Sequence, residues 1–483
     1  MSRSRLVVVG GGLAGMRAAL VAADAGCEVT LIERRRKLGG LTWSFERHGR
    51  WFDNGQHVFM RCCNEYRSLL ERLGMSGSVT LQPRLDVPVL SPGGTRASIR
   101  RSGLPAPLHL AGAIARYRHL SVADRCLLAR VVFALQKLDP EDPELDNVTF
   151  GEFLAGRGQS PRAVAALWNL IVLPTLNVSA QRASLALAVK VFRTGLLDTP
   201  DGGDMGWSNV PLGQLHGEAG ERALRSAGVE MVLGAAAEQI SRRGDGFVIG
   251  VGARSVDANA VVVATPPPVT ASLVPASAGL PDLSGLGTSP IVNVHLVLDR
   301  RVTDLPFAAA IDSPVQFVFD RTGSSGSGSG SGREQCLAVS LSGADAYIGQ
   351  PKDELIRIFF AAVGELFPKA RHATLVDAVV TRERAATFAA VAGSHRFRPK
   401  AATAVPGLFV AGAWCDTGWP ATMEGAVRSG SAAARAAVEA VASLDVGGAD
   451  APAPPEAIEP VAPIDRRPTA VPGPLRVPEE ASW

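Results

Sequence analysis

Gly10, Gly12 and Gly15 form a GxGxxG pattern directly after an apolar run at residues 6–9. In that setting each glycine has a mechanical task. Gly10 permits a tight turn, Gly12 lets a pyrophosphate approach the backbone, and Gly15 lets the next helix pack close to the strand. The start of that helix offers free N–H groups and a positive dipole end to phosphates, so Leu13 and Ala14 join the three glycines as expected cofactor-binding positions. Glu33 lies eighteen residues after Gly15. Its carboxylate can accept hydrogen bonds from both ribose hydroxyls and disfavours a 2′-phosphate, which argues against NADP. His57, Asp53 and Glu424 are candidate proton donors. A histidine is protonated near neutral pH with little tuning, whereas a glutamate needs burial to raise its pKa. Asp53 is expected instead to cap a turn at Asn54 and Gly55. There is no HExxH or EF-hand pattern, so no metal is expected.

The elements that must hold these residues can be read from periodicity. Residues 6–9 (LVVV) read as a strand buried on both faces, followed by a helix from Gly15 to about Gly26 and a second strand through Leu31 and Ile32, which makes a βαβ unit. Residues 104–138 and 161–197 read as helical, the second stretch containing Trp168. Strands are expected at 228–233, 257–265, 289–299 and 407–414, the last leading into a helix near Thr422. A glycine–serine run at 323–332 reads as a flexible loop joining two strands, and the Pro/Ala/Glu-rich residues 443–483 as a disordered tail.

The chain has 483 residues, enough for two domains, and 46% of them are hydrophobic, enough for a sizeable core. A net charge of +3 gives no nucleic-acid footprint. The six cysteines have no metal-ligand spacing, and the adjacent Cys62 and Cys63 read as buried small hydrophobes, which suits a reducing cytoplasm. The glycines at 10–12 and Asp24 argue against a signal peptide, and no apolar run is long enough to span a bilayer.

Arg35, two residues after Glu33, and the pair Gly39-Gly40 complete an E-x-R-x-x-x-G-G arrangement. This resembles the FAD-dependent amine oxidase and phytoene desaturase superfamily, in which the paired glycines carry the chain across the FAD pyrophosphate. Leu41 stands where that superfamily has arginine, and Arg34 or Arg36 could supply the phosphate contact. The segments 407–414 (GLFVAGAW) and 417–430 (TGWPATMEGAVRSG) look like its last flavin-binding element. The resemblance implies that Gly412 contacts FAD and that a helix N-terminus places Thr422, Met423 and Glu424 beside the flavin ring. It also implies that the backbone near Ala237 runs past the adenine and that Gln56 and His57 lie near the flavin. Ala413 stands where the superfamily has aspartate. The fold so implied is α/β. A Rossmann-type FAD-binding domain (residues 1–60, 205–285 and 385–442) is interleaved with an α+β substrate domain (61–204 and 286–384) carrying a helical insertion.

Within the superfamily, residues 53–58 (DNGQHV), 105–110 (PAPLHL), 116–125 (RYRHLSVADR), 167–177 (LWNLIVLPTLN) and 192–197 (FRTGLL) resemble the hydroxysqualene dehydroxylase family over about residues 5–440. The implied reaction is reduction of hydroxysqualene to squalene. An allylic hydroxyl leaves as water with help from His57 or Glu424, and hydride passes from reduced flavin to carbon. Helices between 104 and 197 would line an apolar tunnel, with Trp168 and Trp419 facing substrate. The expected partners are a polyprenoid lipid substrate, an unidentified electron donor and, through Arg116, Arg118, Arg125 and Arg130 among apolar residues, the membrane surface; the protein is placed in the cytoplasm, peripheral to the inner face of the membrane. The alternatives are a carotenoid-type desaturase, an amine oxidase, disfavoured because none of the three tyrosines lies in a flavin motif, and a polyprenoid-binding protein that has lost FAD.

Overall fold

The computed structural model describes residues 4–326 and 333–447, with side chains to 443. Five parallel strands form its nucleotide-binding sheet, in the order Glu230–Leu233, Glu28–Glu33, Arg5–Val9, Ala260–Val263, Leu408–Val410. The two central runs, at residues 6–9 and 260–263, are buried throughout: Leu6, Val8, Ala260 and Val262 pack with the helix that follows the glycine turn, and Val7, Val9, Val261 and Val263 pack with Ile240, Phe247, Ile249 and Val251 of a three-stranded antiparallel sheet. Helix α1 (Leu13–Asp24) leaves the glycine turn directly.

A second, seven-stranded sheet has the order Leu375–Thr387, Ser289–Leu298, Gln335–Ser342, Phe317–Asp320, Phe307–Ala310, Asp86–Leu90, Arg96–Arg100. It is antiparallel except where Phe307–Ala310 meets Asp86–Leu90. The other helices that shape the site are α2 (Asn64–Arg72), α3 (Val122–Lys137), α4 (Leu185–Phe192) and α5 (Met423–Gly447).

Several boundaries differ from the sequence reading for local reasons. The stretch 257–265 is two strands in different sheets. Asn259 separates them by exchanging hydrogen bonds with the Arg5 backbone, its amide donating to Arg5 O and its Oδ1 accepting from Arg5 N. The final strand stops at Val410, just before Gly412 takes φ +153°. The helical stretch 104–138 is broken: only short turns at Leu108–Leu110 and Ala111–Ala115 precede α3, whose start is set by a capping box between Ser121 and Asp124. The stretch 161–197 breaks at Asn177, which adopts φ +58° while its amide binds Ser289 O and Thr387 Oγ1. The glycine–serine run does join two paired strands, Phe317–Asp320 and Gln335–Ser342, but residues 327–332 lie outside the described structure. Helix α5 reaches Gly447, past the expected start of the tail, and residues 448–483 also lie outside it.

Asp53 does not cap its own turn. Its carboxylate accepts from Ser44 Oγ at 2.6 Å, from the Leu212 amide at 2.9 Å and from Arg321 Nη2 at 3.0 Å, all buried. Arg321 also donates to Ser208 O at 2.7 Å. His295, from the second sheet, is hydrogen-bonded to Asp53 O at 3.0 Å. A buried ion pair of this kind is held by its supporting hydrogen bonds, and removing one partner alone leaves a costly charge.

Two buried histidines give this fold a pH limit. Burial pulls His216 down to about 3 and His295 down to about 4. Both pKa values lie below that of an unfolded histidine, so between these values and about pH 6.5 the unfolded chain binds more protons and stability falls as pH falls. Two such protons correspond to a slope of ~2.7 kcal/mol per pH unit. Urea unfolding at pH 7.5 and pH 5 is expected to show the loss on acidification, and His295→Gln to flatten the slope by about half of that. An unchanged slope in that variant would contradict the assignment.

Candidate active site

The three glycines of the first turn are required for different reasons. Gly10 has φ +110°, and a side chain there would strike the Ala264 carbonyl; one on Gly15 would strike the Gly10 carbonyl. Gly12 is different. Its φ is an ordinary −75°, and an added Cβ would meet nothing nearer than Gly40 Cα at 3.8 Å. Nothing in the chain excludes a side chain at Gly12, so the space over its backbone is free for a ligand. Leu13 and Ala14 open α1 beside it.

A second glycine loop closes against the first. The Gly39 amide donates to Gly11 O at 2.9 Å, and a Cβ on Gly40 would come within 2.9 Å of Gly12 Cα. Arg35 braces this loop through Nη1 to Gly40 O at 3.3 Å, whereas Arg34 and Leu41 are exposed. The Glu33 carboxylate is fixed by the amides of Gly11 (2.7 Å) and Arg35 (2.8 Å), each oxygen keeping lone pairs to accept from a ribose. Ala237 lies half-buried beyond the neighbouring strand, on a segment tied down by amide bonds from Gly234 to Arg35 O and from Ala235 to Glu33 O.

At the other end of the site, Thr422 caps α5, its Oγ1 accepting from the Gly425 amide at 3.2 Å, with Met423 as the first helical residue. The Gly412 amide is held by Ser429 Oγ at 2.8 Å. Trp43 Nε1, Gln56 Nε2 and Thr417 Oγ1 are buried without a partner among the described residues. Buried polar groups in native proteins are almost always satisfied, so these three call for a polar ligand. Two glycine loops with open backbone and these orphaned groups fit FAD. Glu33 and Gly12 would hold its ribose and phosphate part, and Gln56, Thr422 and Met423 its ring.

Both candidate acids have other work. Glu424 is buried, and its carboxylate accepts from the amides of Glu65 (3.2 Å) and Tyr66 (2.7 Å) and from Arg428 Nε (2.6 Å). It caps the N-terminus of α2, its two oxygens taking three N–H donors. His57 is half-buried, and desolvation lowers its pKa. Its Nδ1 lies 3.2 Å from Gly55 O. A carbonyl can only accept, so Nδ1 carries a proton, and desolvation disfavours a second one on Nε2. Both residues thus make positioning contacts that the sequence did not show, and Glu424 also lines the cavity described next.

Beside Gln56, Thr422 and Met423 lies a cavity of about 760 Å³ with mostly apolar walls. It is lined from α3, α4 and the 164–176 segment, including Trp168 and Trp419. Trp168 is also bonded through Nε1 to Gln159 Oε1 at 2.8 Å and packs edge-on against Phe150 and Phe192, so it is a wall residue fixed by the core. Cys63 is buried in the core and Cys62 is half-buried against it, and both also line the cavity. Sequence reading missed Lys190, the one lysine in the lining. Its Nζ lies 5.9 Å from the Trp419 ring centroid and 3.6 Å from the solvent-exposed carboxylate of Glu141. The available signal was a lone lysine in the apolar run 185–192 (LALAVKVF).

A family model described as flavin containing amine oxidoreductase matches residues 13–438. The chain is 27% identical over 461 residues to hydroxysqualene dehydroxylase of Rhodopseudomonas palustris, covering 88% of this chain and 96% of that one. It is 24% identical over 484 residues to zeta-carotene desaturase of Zea mays, covering 88% and 82%. Among solved structures, cyclohexylamine oxidase from Brevibacterium oxydans superposes with a TM-score of 0.65 at 18% identity, covering 91% of this chain and all of that one (100%). That likeness concerns the fold.

Gly12→Ala is expected to leave the stability of the flavin-free protein within about 0.5 kcal/mol of the parent while sharply lowering retained flavin, whereas Gly15→Ala lowers stability itself. Flavin absorbance of purified protein, set beside urea unfolding of the stripped form, separates the two. Glu424→Ala should cost about 2 kcal/mol or more in the same unfolding assay by uncapping α2 and leaving Arg428 unpaired. A variant as stable as the parent would remove the capping role.

Proposed function

The chain belongs to the flavin containing amine oxidoreductase family, and we propose that this flavin-dependent oxidoreductase reduces hydroxysqualene, or a closely related polyprenoid alcohol, to the hydrocarbon. The observation that carries this reading is an apolar cavity with one lysine among its described lining residues. A long hydrocarbon with one hydroxyl matches such a wall: the chain is taken up by burial, and the oxygen finds a strong donor in Lys190. The 27% identity to a hydroxysqualene dehydroxylase supports the same substrate class.

Bound and reduced, FAD supplies the hydride equivalent. The chain's residues have the remaining tasks. The C–O bond breaks, the oxygen takes a proton and departs as water, and a C–H bond forms at the same carbon. Lys190 is the proton source in this reading, and Glu141, exposed and 3.6 Å away, returns a proton from solvent. Trp419, with Lys190 on one side and Arg428 4.7 Å from its ring centroid, presents the π surface that an electron-poor allylic carbon prefers. Apolar residues exclude competing water. His57 and Glu424 hold Gly55 and α2 in place. Residues 1–60, 205–285 and 385–442 serve the cofactor and residues 61–204 and 286–384 the substrate. Turnover needs an external electron donor.

The same observation weighs against the neighbouring chemistries. A desaturase removes hydrogen from a hydrocarbon and has no leaving oxygen for Lys190 to serve. A protonated amine would be repelled by the lysine.

The test is anaerobic single turnover with pre-reduced protein and hydroxysqualene, following flavin absorbance and extracting the lipid. Flavin oxidation with squalene as product is expected. Lys190→Met should slow that step by about 10²-fold or more, and Lys190→Arg should retain part of the rate. Reduction of oxidised protein by a carotene, with no reaction of the alcohol, would overturn the reading in favour of a desaturase.

A further inference from the structure

Large exposed hydrophobic side chains gather in one part of this molecule. Leu104, Leu108, Val122 and Phe133 are 52%, 56%, 68% and 61% exposed. They come from one stretch of chain, and Leu108, Val122 and Phe133 also line the cavity described above. The cavity therefore opens between the Ala111–Ala115 turn and α3, and its mouth is ringed by apolar side chains facing solvent. Contiguous exposed apolar surface on a folded protein marks a site of contact.

Charge indicates the kind of contact. Residues 102–138 carry Arg116, Arg118, Arg125, Arg130 and Lys137 against one carboxylate, Asp124. Asp124 is buried and hydrogen-bonded by Ser121 Oγ and Ser160 Oγ, both at 2.6 Å, so it lies beneath the surface that carries the arginines. Arg116, Arg118, Arg130 and Lys137 are exposed. Arg125 ties the collar into one unit by donating to Ser121 O and to Ala115 O across the mouth. Apolar side chains that can enter an acyl layer, flanked by cations at headgroup level, make the composition of an interfacial docking face. Among the described residues no helix is long and apolar enough to cross a membrane, so the contact is peripheral.

We propose that residues 104–137 dock the protein on an anionic lipid bilayer, with the mouth of the cavity turned into the hydrocarbon. A substrate dissolved in the membrane then reaches the cavity without crossing water. This rests on the proposed lipid substrate only for its purpose. The docking itself stands on the collar and is tested without turnover.

The flavin-loaded protein is mixed with vesicles of phosphatidylcholine alone or with phosphatidylglycerol added, and bound protein is measured by flotation. A polarity-sensitive dye on the exposed Cys126, which lines the mouth, reports insertion. The expected result is binding to the anionic vesicles that weakens with salt, with a blue shift of the dye. Leu104→Glu/Phe133→Glu and Arg116→Glu/Arg118→Glu should each bind at least about tenfold more weakly while keeping their flavin. No binding to anionic vesicles at low salt, or equal binding by the parent and both variants, would overturn the proposal. So would a parent that sediments as a dimer and becomes monomeric in Leu104→Glu/Phe133→Glu, since the collar would then be covered by a second copy. Docking with no turnover of any polyprenoid alcohol would leave this inference standing and sink only the substrate assignment.

Discussion

The contact between α5 and α1 sets the spacing of the whole site. A side chain at Gly430 would collide with the Ala14 carbonyl, so the two helices meet backbone to backbone at the first turn of α1. Gly430 lies seven residues into α5, about 10 Å of helix from its start at Met423. The positive end of α1 and the positive end of α5 are thereby held a fixed distance apart, one at the glycine turn and one at the cavity. Arg17, Ser431 and Glu65 reinforce the contact, with Arg17 Nε to Ser431 Oγ at 2.9 Å and Ser431 Oγ to Glu65 Oε2 at 3.0 Å. Glu424 extends it to α2. A dinucleotide stretched between these two ends meets donors whose positions are fixed before it arrives, so little of its binding energy goes into ordering them.

What could be read from sequence follows from how local each requirement is. The glycine turn, Glu33 and the apolar strand beside them depend on residues close together in the chain, and the turn geometry itself selects glycine. The Asp53 carboxylate was misread because its partners, Leu212 and Arg321, lie far away in sequence and nothing in the run DNG announces them. The partners of Glu424 were hidden for the same reason: its hydrogen bonds go to the start of α2, 358 and 359 positions away. Periodicity also joined segments that capping separates. Ser121 and Asp124 start α3 afresh, although apolar residues continue on both sides of that point.

The site thus separates two kinds of polar group. Those that build the frame, such as the carboxylates of Asp53 with Arg321 and Glu424 with Arg428, are held by protein partners. Gln56, which lines the cavity, keeps an unpaired atom. The same division holds for glycine: Gly10 and Gly15 satisfy the fold, while Gly12 leaves room. Lys190 bridges the two groups, since its ammonium faces the cavity yet lies near a carboxylate open to solvent.

The parallel sheet takes its strands from residues 5–33, then 230–263, then 408–410, and the helix that completes the site follows the last of them. A chain emerging from the ribosome makes the first glycine turn almost at once but cannot enclose a cofactor until its final strand and α5 are in place. Through most of synthesis α1 and its strand lack neighbours that are still unmade, and their exposed apolar faces depend on chaperones or transient pairing. Flavin capture in this architecture is therefore a late event that reports on completion of the chain, and a ribosome that stalls early releases a product with a nucleotide motif but no closed site around it.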